Sequence, residues 1–160
     1  MIQYTIGDAT RPQGEGQKVI VHVCNDVGAW GKGFVLALSK RWPQPEAGYK
    51  AWFRGEGEQP FELGRVQFVR VEDDISVANL IGQKGLHPRK KIPPVRYEAI
   101  KEGLEKVADY CRKNNASIHM PRIGSGLAGG SWDKVEKIIR DTLIKCSIST
   151  SVYDLPSKQV

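Results

Sequence analysis

The chain has 160 residues, with 24 Lys and Arg against 18 Asp and Glu, and a formal net charge of +6. This length suits one domain whose core needs no disulfide or metal, and the modest charge permits an anionic partner such as nucleic acid without requiring one. Because the sequence has no run of about eighteen apolar residues and no charged-then-apolar leader, neither a membrane span nor a secretory signal is expected.

Predicted strands and helices alternate along the chain. Runs rich in Val and Ile are typical of buried strands, and apolar residues that recur every three or four positions are typical of amphipathic helices. We expect strands over residues 1–6, 18–24, 65–71, 76–82, 116–120 and 151–155, and helices over residues 33–42, 46–54, 94–114 and 132–143. Pro43 and Pro45 are expected to break the first helix, which carries apolar residues on most sides and is therefore predicted to be buried. The pattern predicts an α/β fold with helices on both faces of a mixed sheet.

Two glycine-dense turns each join a strand to a helix, one from Asn25 to Gly33 and one from Pro121 to Trp132. Without Cβ atoms the backbone can approach a ligand closely, and several N–H groups can converge on one anion such as a diphosphate. Either turn alone is equally well explained as a flexible connector or a helix cap, with Ser131 as the N-cap residue of the last helix. Two such turns at the carboxyl ends of strands are better explained by a ligand with more than one polar centre.

The motifs resemble those of the macrodomain family. They are Ile6-Gly7-Asp8 after the first strand, the turn that begins at Asn25, and Pro121-Arg122-Ile123-Gly124 with the glycines that follow. The last motif, followed by glycine-leucine and a tryptophan that opens a helix, is similar to one branch of that family. This branch contains terminal ADP-ribose protein glycohydrolase and the antitoxins that remove ADP-ribose from thymidine in DNA. The resemblance implies one three-layer α/β/α macrodomain over residues 1–160, with a central mixed, mostly parallel sheet.

The resemblance also implies an ADP-ribose site. Asp8 would accept a hydrogen bond from the adenine amino group, although an aspartate after a glycine is also typical of a stabilised turn. Tyr153 would pack near the adenine or the proximal ribose, or is a core aromatic residue on an edge strand. The distal ribose would be lined by Asn25, Gly31 and Gly33. The diphosphate would be wrapped by the backbone amides of Gly124, Ser125, Gly126, Leu127 and Ala128.

Two positions depart from the pattern of this branch. Gln83 stands where its glycohydrolases use a lysine, and Ala128 stands where the protein enzyme uses an aspartate. Because glutamine cannot form a Schiff base, we expect water to attack the distal ribose instead. Gln83 would orient that water or a ribose hydroxyl, and Asp26 would act as its base beside Asn25. Alternatively, Asp26 is a solvent-exposed loop residue.

The cysteines do not indicate a catalytic or metal site. Cys24, Cys111 and Cys146 lack the spacing of a disulfide framework or a zinc site, which predicts reduced thiols in a cytoplasmic protein without metal or cofactor. His22 and Cys24 share one face of a strand and invite a covalent mechanism. Strand neighbours project in parallel and buried cysteines are usually inert, so we interpret this pair as core.

Three functions remain compatible with the sequence: an ADP-ribosyl hydrolase for ester-linked protein or thymidine-linked DNA, a phosphatase for ADP-ribose 1''-phosphate, and a domain that only binds ADP-ribose. Absence of the branch's lysine and aspartate favours the binding domain, whereas Asn25 and Asp26 favour an enzyme, and we expect the hydrolase. The expected partners are ADP-ribose and ADP-ribosylated protein or DNA, and no membrane. The basic run Arg89-Lys90-Lys91, with His87 close by, is either a solvated surface or a contact for nucleic-acid phosphates.

Overall fold

Six strands form a single mixed sheet in the computed structural model, which describes residues 1–156. The strands follow the order β1-β6-β5-β2-β4-β3, and only β3 runs antiparallel to its neighbour. Their bounds are β1 Gln3–Ile6, β2 Gln17–Asn25, β3 Val66–Glu72, β4 Ile75–Gln83, β5 Ala116–Met120 and β6 Thr150–Asp154. The predicted α/β fold with a mixed, mostly parallel sheet is confirmed.

Helices cover the sheet on both faces. Their bounds are α1 Phe34–Arg41, α2 Gln44–Phe53, α3 Tyr97–Asn114 and α4 Trp132–Ile139. Alternate residues of β2 enter two separate cores, since Val19 and Val21 pack with α3 and α4 whereas Ile20 packs with α1 and α2. Strands that are buried on both faces read as continuous apolar runs, which explains why β2 and β4 were recognisable in the sequence.

Three helix predictions need correction. Pro45 does not break a helix but lies in the first turn of α2, where its missing N–H has no helical partner to lose. Helix α1 is not buried all round: Leu38 is fully buried, whereas Leu36 is 49% exposed. The predicted helix over residues 132–143 changes to a π-helix at Arg140–Ile144, where the Lys145 N–H donates to the Arg140 carbonyl oxygen.

The parallel strands determine where a ligand can bind. Because β1, β6, β5, β2 and β4 run in the same direction, their carboxyl ends lie along one edge of the sheet. The segments that follow these ends therefore share that edge, which is where open α/β sheets bind ligands. No helix within residues 1–156 is both long enough and apolar enough to cross a membrane.

Candidate functional site

A cavity of about 700 Å³ opens at the carboxyl edge of the sheet. Three segments line it: the β2–α1 loop (residues 26–33), the arm between β4 and α3 (residues 84–95), and the glycine loop between β5 and α4 (residues 121–131). The side chain of Leu127 spans the gap between two of them, since a Cβ placed on Gly33 would lie 3.4 Å from its Cδ1 atom. The two glycine turns predicted from the sequence thus meet over one cavity.

The glycine loop is closed by its own backbone. The Gly130 N–H donates to the Gly124 carbonyl oxygen at 2.8 Å, and the Gly129 N–H donates to the Gly126 carbonyl oxygen at 3.0 Å. A Cβ on Gly130 would lie only 2.3 Å from that Gly124 oxygen, so this position requires glycine. The Ser125 hydroxyl donates to the Arg122 carbonyl oxygen and stabilises the start of the turn.

Five consecutive amides of this loop are available to a ligand. Within residues 1–156, the backbone N–H groups from Gly124 to Ala128 donate to no protein acceptor. Successive backbone N–H groups without protein partners in a turn are the kind of donors that bind anions. Of these residues, Gly124, Gly126, Leu127 and Ala128 line the cavity, while the sequence-predicted Ser125 does not.

Asn25 shapes the β2–α1 loop with its side chain. Its Oδ1 accepts hydrogen bonds from the Val27 and Ala29 N–H groups and from the Tyr49 hydroxyl, at 2.8–3.1 Å. Its Nδ2 donates to the Ala29 carbonyl oxygen. Asn25 lines the cavity together with Gly31 and Gly33, but its side-chain amide is hydrogen-bonded within the loop.

Asp26 and Gln83 both contact Gly85, the second residue of the arm. The Asp26 Oδ1 accepts a hydrogen bond from the Gly85 N–H at 2.8 Å, and the Gln83 Nε2 donates to the Gly85 carbonyl oxygen at 2.9 Å. Gln83 lines the cavity and Asp26 does not. The carboxylate predicted as a catalytic base therefore ties the β2–α1 loop to the arm, a long-range contact that the sequence does not reveal.

Asp8 and Tyr153 lie at the other end of the same edge, outside the cavity lining. Oδ1 of Asp8 accepts hydrogen bonds from the N–H and the hydroxyl of Thr10, the turn contact foreseen as the alternative role. Tyr153 is only 4% exposed, and its hydroxyl bonds with the Gln13 N–H and with Nδ1 of His119. Its strand β6 lies between β1 and β5, so the expectation of an edge strand is wrong.

Arg122 is a site residue to which sequence reasoning gave no role. Its Nε and Nη2 atoms donate to the two carboxylate oxygens of Asp154 at 2.8 and 3.0 Å. The guanidinium also lies 5.1 Å from the ring centroid of Tyr4 and 5.2 Å from that of Trp132. These contacts join the glycine loop to β1, β6 and α4. The one sequence feature that could have pointed to Arg122 is its place in the motif Pro121-Arg122-Ile123-Gly124.

The inner wall of the cavity includes His22 and Cys24. Nε2 of His22 is hydrogen-bonded to Oδ1 of Asn79 and lies 3.7 Å from the Cys24 sulfur. Burial lowers the pKa of His22 to about 4 and raises the pKa of the Cys24 thiol well above its usual range. Both groups are therefore uncharged at neutral pH, which agrees with a core role for this pair.

The cavity lining is poor in acid–base groups. Among the described residues that line it, none is an aspartate or a glutamate. The described part of the chain also contains no group of three His, Cys, Asp or Glu side chains able to hold a metal ion. The site instead provides the backbone N–H groups from Gly124 to Ala128, unpaired within residues 1–156, which we call the amide cradle, as donors for an anion.

Known proteins resemble this chain in sequence and in fold. No family model matches the chain. It is 55% identical to a macrodomain protein from Streptomyces coelicolor, with a TM-score of 0.85 over 96% of this chain and 99% of the other. A protein of unknown function from Bacteroides thetaiotaomicron is 53% identical, with a TM-score of 0.93 over 97% and 98% of the two chains.

Curated relatives carry several names. The zebrafish (Danio rerio) chromodomain-helicase-DNA-binding protein 1-like is 34% identical over 95% of this chain, which spans only 15% of that protein's length. The ADP-ribose 1''-phosphate phosphatase of Candida albicans is 28% identical over 88% of this chain and 93% of its own length. The DNA ADP-ribosyl glycohydrolase of Mycobacterium tuberculosis is 33% identical over 86% of this chain and 37% of its length.

Proposed function

Because the chain belongs to the macrodomain family, we propose that its cavity binds ADP-ribose and that the protein hydrolyses ADP-ribose from modified macromolecules. The run of free amides from Gly124 to Ala128 carries this proposal, since it fits the two charged groups of a diphosphate. Relatives named as ADP-ribosyl glycohydrolases and as a phosphatase of ADP-ribose 1''-phosphate support hydrolysis at the distal ribose.

The ligand would lie along the carboxyl edge of the sheet. With the diphosphate on the glycine loop after β5, the distal ribose would face the loop after β2, where Asn25, Gly31 and Gly33 line the cavity. The adenine would extend past β6 toward β1, where Asp8 has its second carboxylate oxygen available and Tyr153 supports the neighbouring backbone. From β1 to β4 the edge spans four strand spacings, about 19 Å.

Water is the nucleophile in this proposal. Gln83 stands where the related glycohydrolases use lysine, and an amide cannot form a Schiff base with the sugar. Its Nε2 is bonded to the Gly85 carbonyl oxygen, which leaves Oε1 to orient a water or a ribose hydroxyl. Asn25 and Asp26 would act by shaping the loop and holding the arm.

The decisive experiment measures release of ADP-ribose from glutamate-modified protein and from thymidine-modified DNA. We expect release from at least one substrate by the wild-type protein and none by Gly126→Glu. Release from neither, with ADP-ribose still bound, would contradict hydrolysis of these linkages and leave a binding domain or the phosphatase.

The phosphatase is the second candidate. Lys32 lines the cavity from the β2–α1 loop, and no carboxylate within residues 1–156 forms an ion pair with it. A free ammonium beside the distal-ribose end suits a terminal phosphate. Release of inorganic phosphate from ADP-ribose 1''-phosphate distinguishes this activity from the glycohydrolase.

We infer the carrier of the ADP-ribose from the charge of the arm. Arg89, Lys90 and Lys91 are exposed, and none of them forms an ion pair within residues 1–156. A DNA carrier would present phosphates to this free positive charge, which supports a DNA-linked substrate.

Removing positive charge from the arm tests whether DNA carries the ADP-ribose. In the double variant Lys90→Gln/Lys91→Gln we expect KM for modified DNA to rise roughly tenfold at low salt and less at high salt, because two phosphate contacts are lost. The matched control Lys113→Gln removes an exposed charge of α3 and should change nothing. An unchanged KM for DNA in the double variant would exclude the arm as a DNA contact.

A further inference from the structure

We propose that the imidazole of His87 is the general base that activates water at the distal ribose. This inference rests on the proposed hydrolase function and names the group that performs the proton transfer in the same cavity. His87 is one of the three arm residues that line the cavity, with Leu86 and Pro88.

The other titratable side chains of the lining are not suited to this role. His22 is buried and bonded to Asn79, and Cys24 is a buried thiol with a raised pKa. Arg122 is held in its ion pair with Asp154, and the Lys32 ammonium only donates hydrogen bonds and offers no acceptor for a proton. No carboxylate of the described residues lines the cavity, so His87 is the remaining candidate.

The arm is ordered by contacts on both sides of His87. On one side Gly85 is bonded to Asp26 and to Gln83, two residues before the histidine. On the other side Arg89 and Ile92 exchange backbone hydrogen bonds of 3.0 and 2.8 Å around a tight two-residue turn. The Lys84 N–H also donates to the Pro94 carbonyl oxygen. The backbone two residues before His87 is therefore bonded to Gln83 of the cavity wall, and the backbone after His87 is held by bonds within the arm.

The His87 ring itself is uncommitted. It is exposed, and within residues 1–156 neither ring nitrogen forms a hydrogen bond with a protein group. Histidine is the residue that most often exchanges protons with a reacting group near neutral pH. An imidazole kept free of protein partners at the edge of a substrate cavity is suited to bind and activate a water molecule.

Several charged groups surround this position. Lys84, Arg89, Lys90 and Lys91 lie on the arm itself, and Lys32 faces the cavity from the β2–α1 loop. Across the cavity the glycine loop contributes Arg122, whose charge is balanced by Asp154. On the β2–α1 loop, the Asp26 carboxylate accepts a hydrogen bond from the Gly85 N–H of the arm.

The proposed step balances without a further reactant. The oxygen of one water molecule forms a bond to the anomeric carbon of the distal ribose, while the bond from that carbon to the carrier breaks. The electron pair of the broken bond leaves with the carrier atom. One water proton moves to the His87 imidazole and is then released to the leaving group or to solvent, so no oxidation or reduction occurs.

The test compares wild type, His87→Gln and the control Lys113→Gln on whichever modified substrate the wild type cleaves. We expect His87→Gln to lower kcat about 100-fold while KM and the Kd for ADP-ribose stay within about threefold. In His87→Ala, added free imidazole should restore part of kcat, an effect that a structural role would not produce.

The outcomes separate this inference from the function on which it rests. If wild type cleaves a substrate and His87→Gln keeps kcat within about threefold, His87 is not the base and the hydrolase function stands. A loss confined to KM and Kd would likewise overturn the base and leave a binding contact. If wild type cleaves neither substrate, the hydrolase proposal fails and the His87 proposal fails with it. Saturating ADP-ribose should in addition shift the NMR resonances of the His87 ring in the wild-type protein, and unshifted resonances would contradict contact.

Discussion

Replacing Gly126 with glutamate is expected to weaken ADP-ribose binding by at least about 100-fold, which corresponds to roughly 3 kcal/mol. The new carboxylate would stand among the free amides from Gly124 to Ala128, where the diphosphate is expected. Like charges placed against each other across an interface cost several kcal/mol. Isothermal titration of ADP-ribose into the wild-type and variant proteins measures the change.

Gly126 is a favourable position for this test because the fold does not require glycine there. A Cβ at this residue would meet no atom within 4 Å, and the backbone does not adopt a positive φ. The matched control Gly126→Ala adds only that Cβ and should keep its affinity within about threefold. Equal affinity of the glutamate variant and wild type would show that the diphosphate binds elsewhere. A lowered Tm in both variants would instead indicate damage to the loop.

Acid is expected to destabilise the protein strongly between about pH 6.5 and pH 4. Burial lowers the pKa values of His22 and His119 to about 4 in the folded protein, whereas an unfolded histidine titrates near 6.5. In this interval the unfolded chain binds protons that the folded protein excludes, so stability falls as the pH falls. At about 1.4 kcal/mol per pKa unit, each histidine contributes a loss of roughly 3 kcal/mol.

The combined loss of roughly 6 kcal/mol is comparable to the whole stability of many domains. Thermal unfolding monitored by circular dichroism should therefore show a steep drop of Tm between pH 7 and pH 4.5. His119→Gln is the informative variant, because its amide can still bond with Ser117 or with Tyr153 but does not titrate. Its loss of stability with acid should be about half that of wild type. An equal loss in both proteins would show that other groups cause it.

The sequence revealed the fold through its local patterns. The sheet was predictable from apolar runs such as residues 75–82, and the helices from amphipathic patterns such as that of α3. Because the strands that precede the two glycine turns are parallel, both turns lie at one edge of the sheet. The exposed side of α1 escaped prediction because its apolar residues lie all round the helix: Leu38 is fully buried, Phe34 and Val35 line the cavity, and Leu36 is 49% exposed.

The roles of the polar site residues depended on distant partners that local patterns cannot reveal. Asp26 was predicted as the catalytic base because it is the carboxylate of the β2–α1 loop, yet it accepts a hydrogen bond from the Gly85 N–H, 59 residues along the chain. Asn25 was predicted to contact the ribose, yet its side-chain oxygen accepts a hydrogen bond from the Tyr49 hydroxyl of α2. His87 was visible only as part of a basic run, and its position at the cavity follows from the contacts that hold the arm.

The arm also bears on how such proteins can diverge. Residues 84–95 connect the carboxyl end of β4 to α3 and contribute no strand to the central sheet, whereas the amide cradle belongs to a separate connection after β5. The arm contacts the cradle at its end, where the Val95 N–H donates to the Ala128 carbonyl oxygen, whereas within residues 1–156 Arg89 and Ile92 at its tip exchange backbone hydrogen bonds only with each other. Changes in the charge or length of that tip would therefore leave the sheet and the cradle unaltered. Under the proposed function, the macromolecule that carries ADP-ribose could then change between related proteins while the site for ADP-ribose itself is kept.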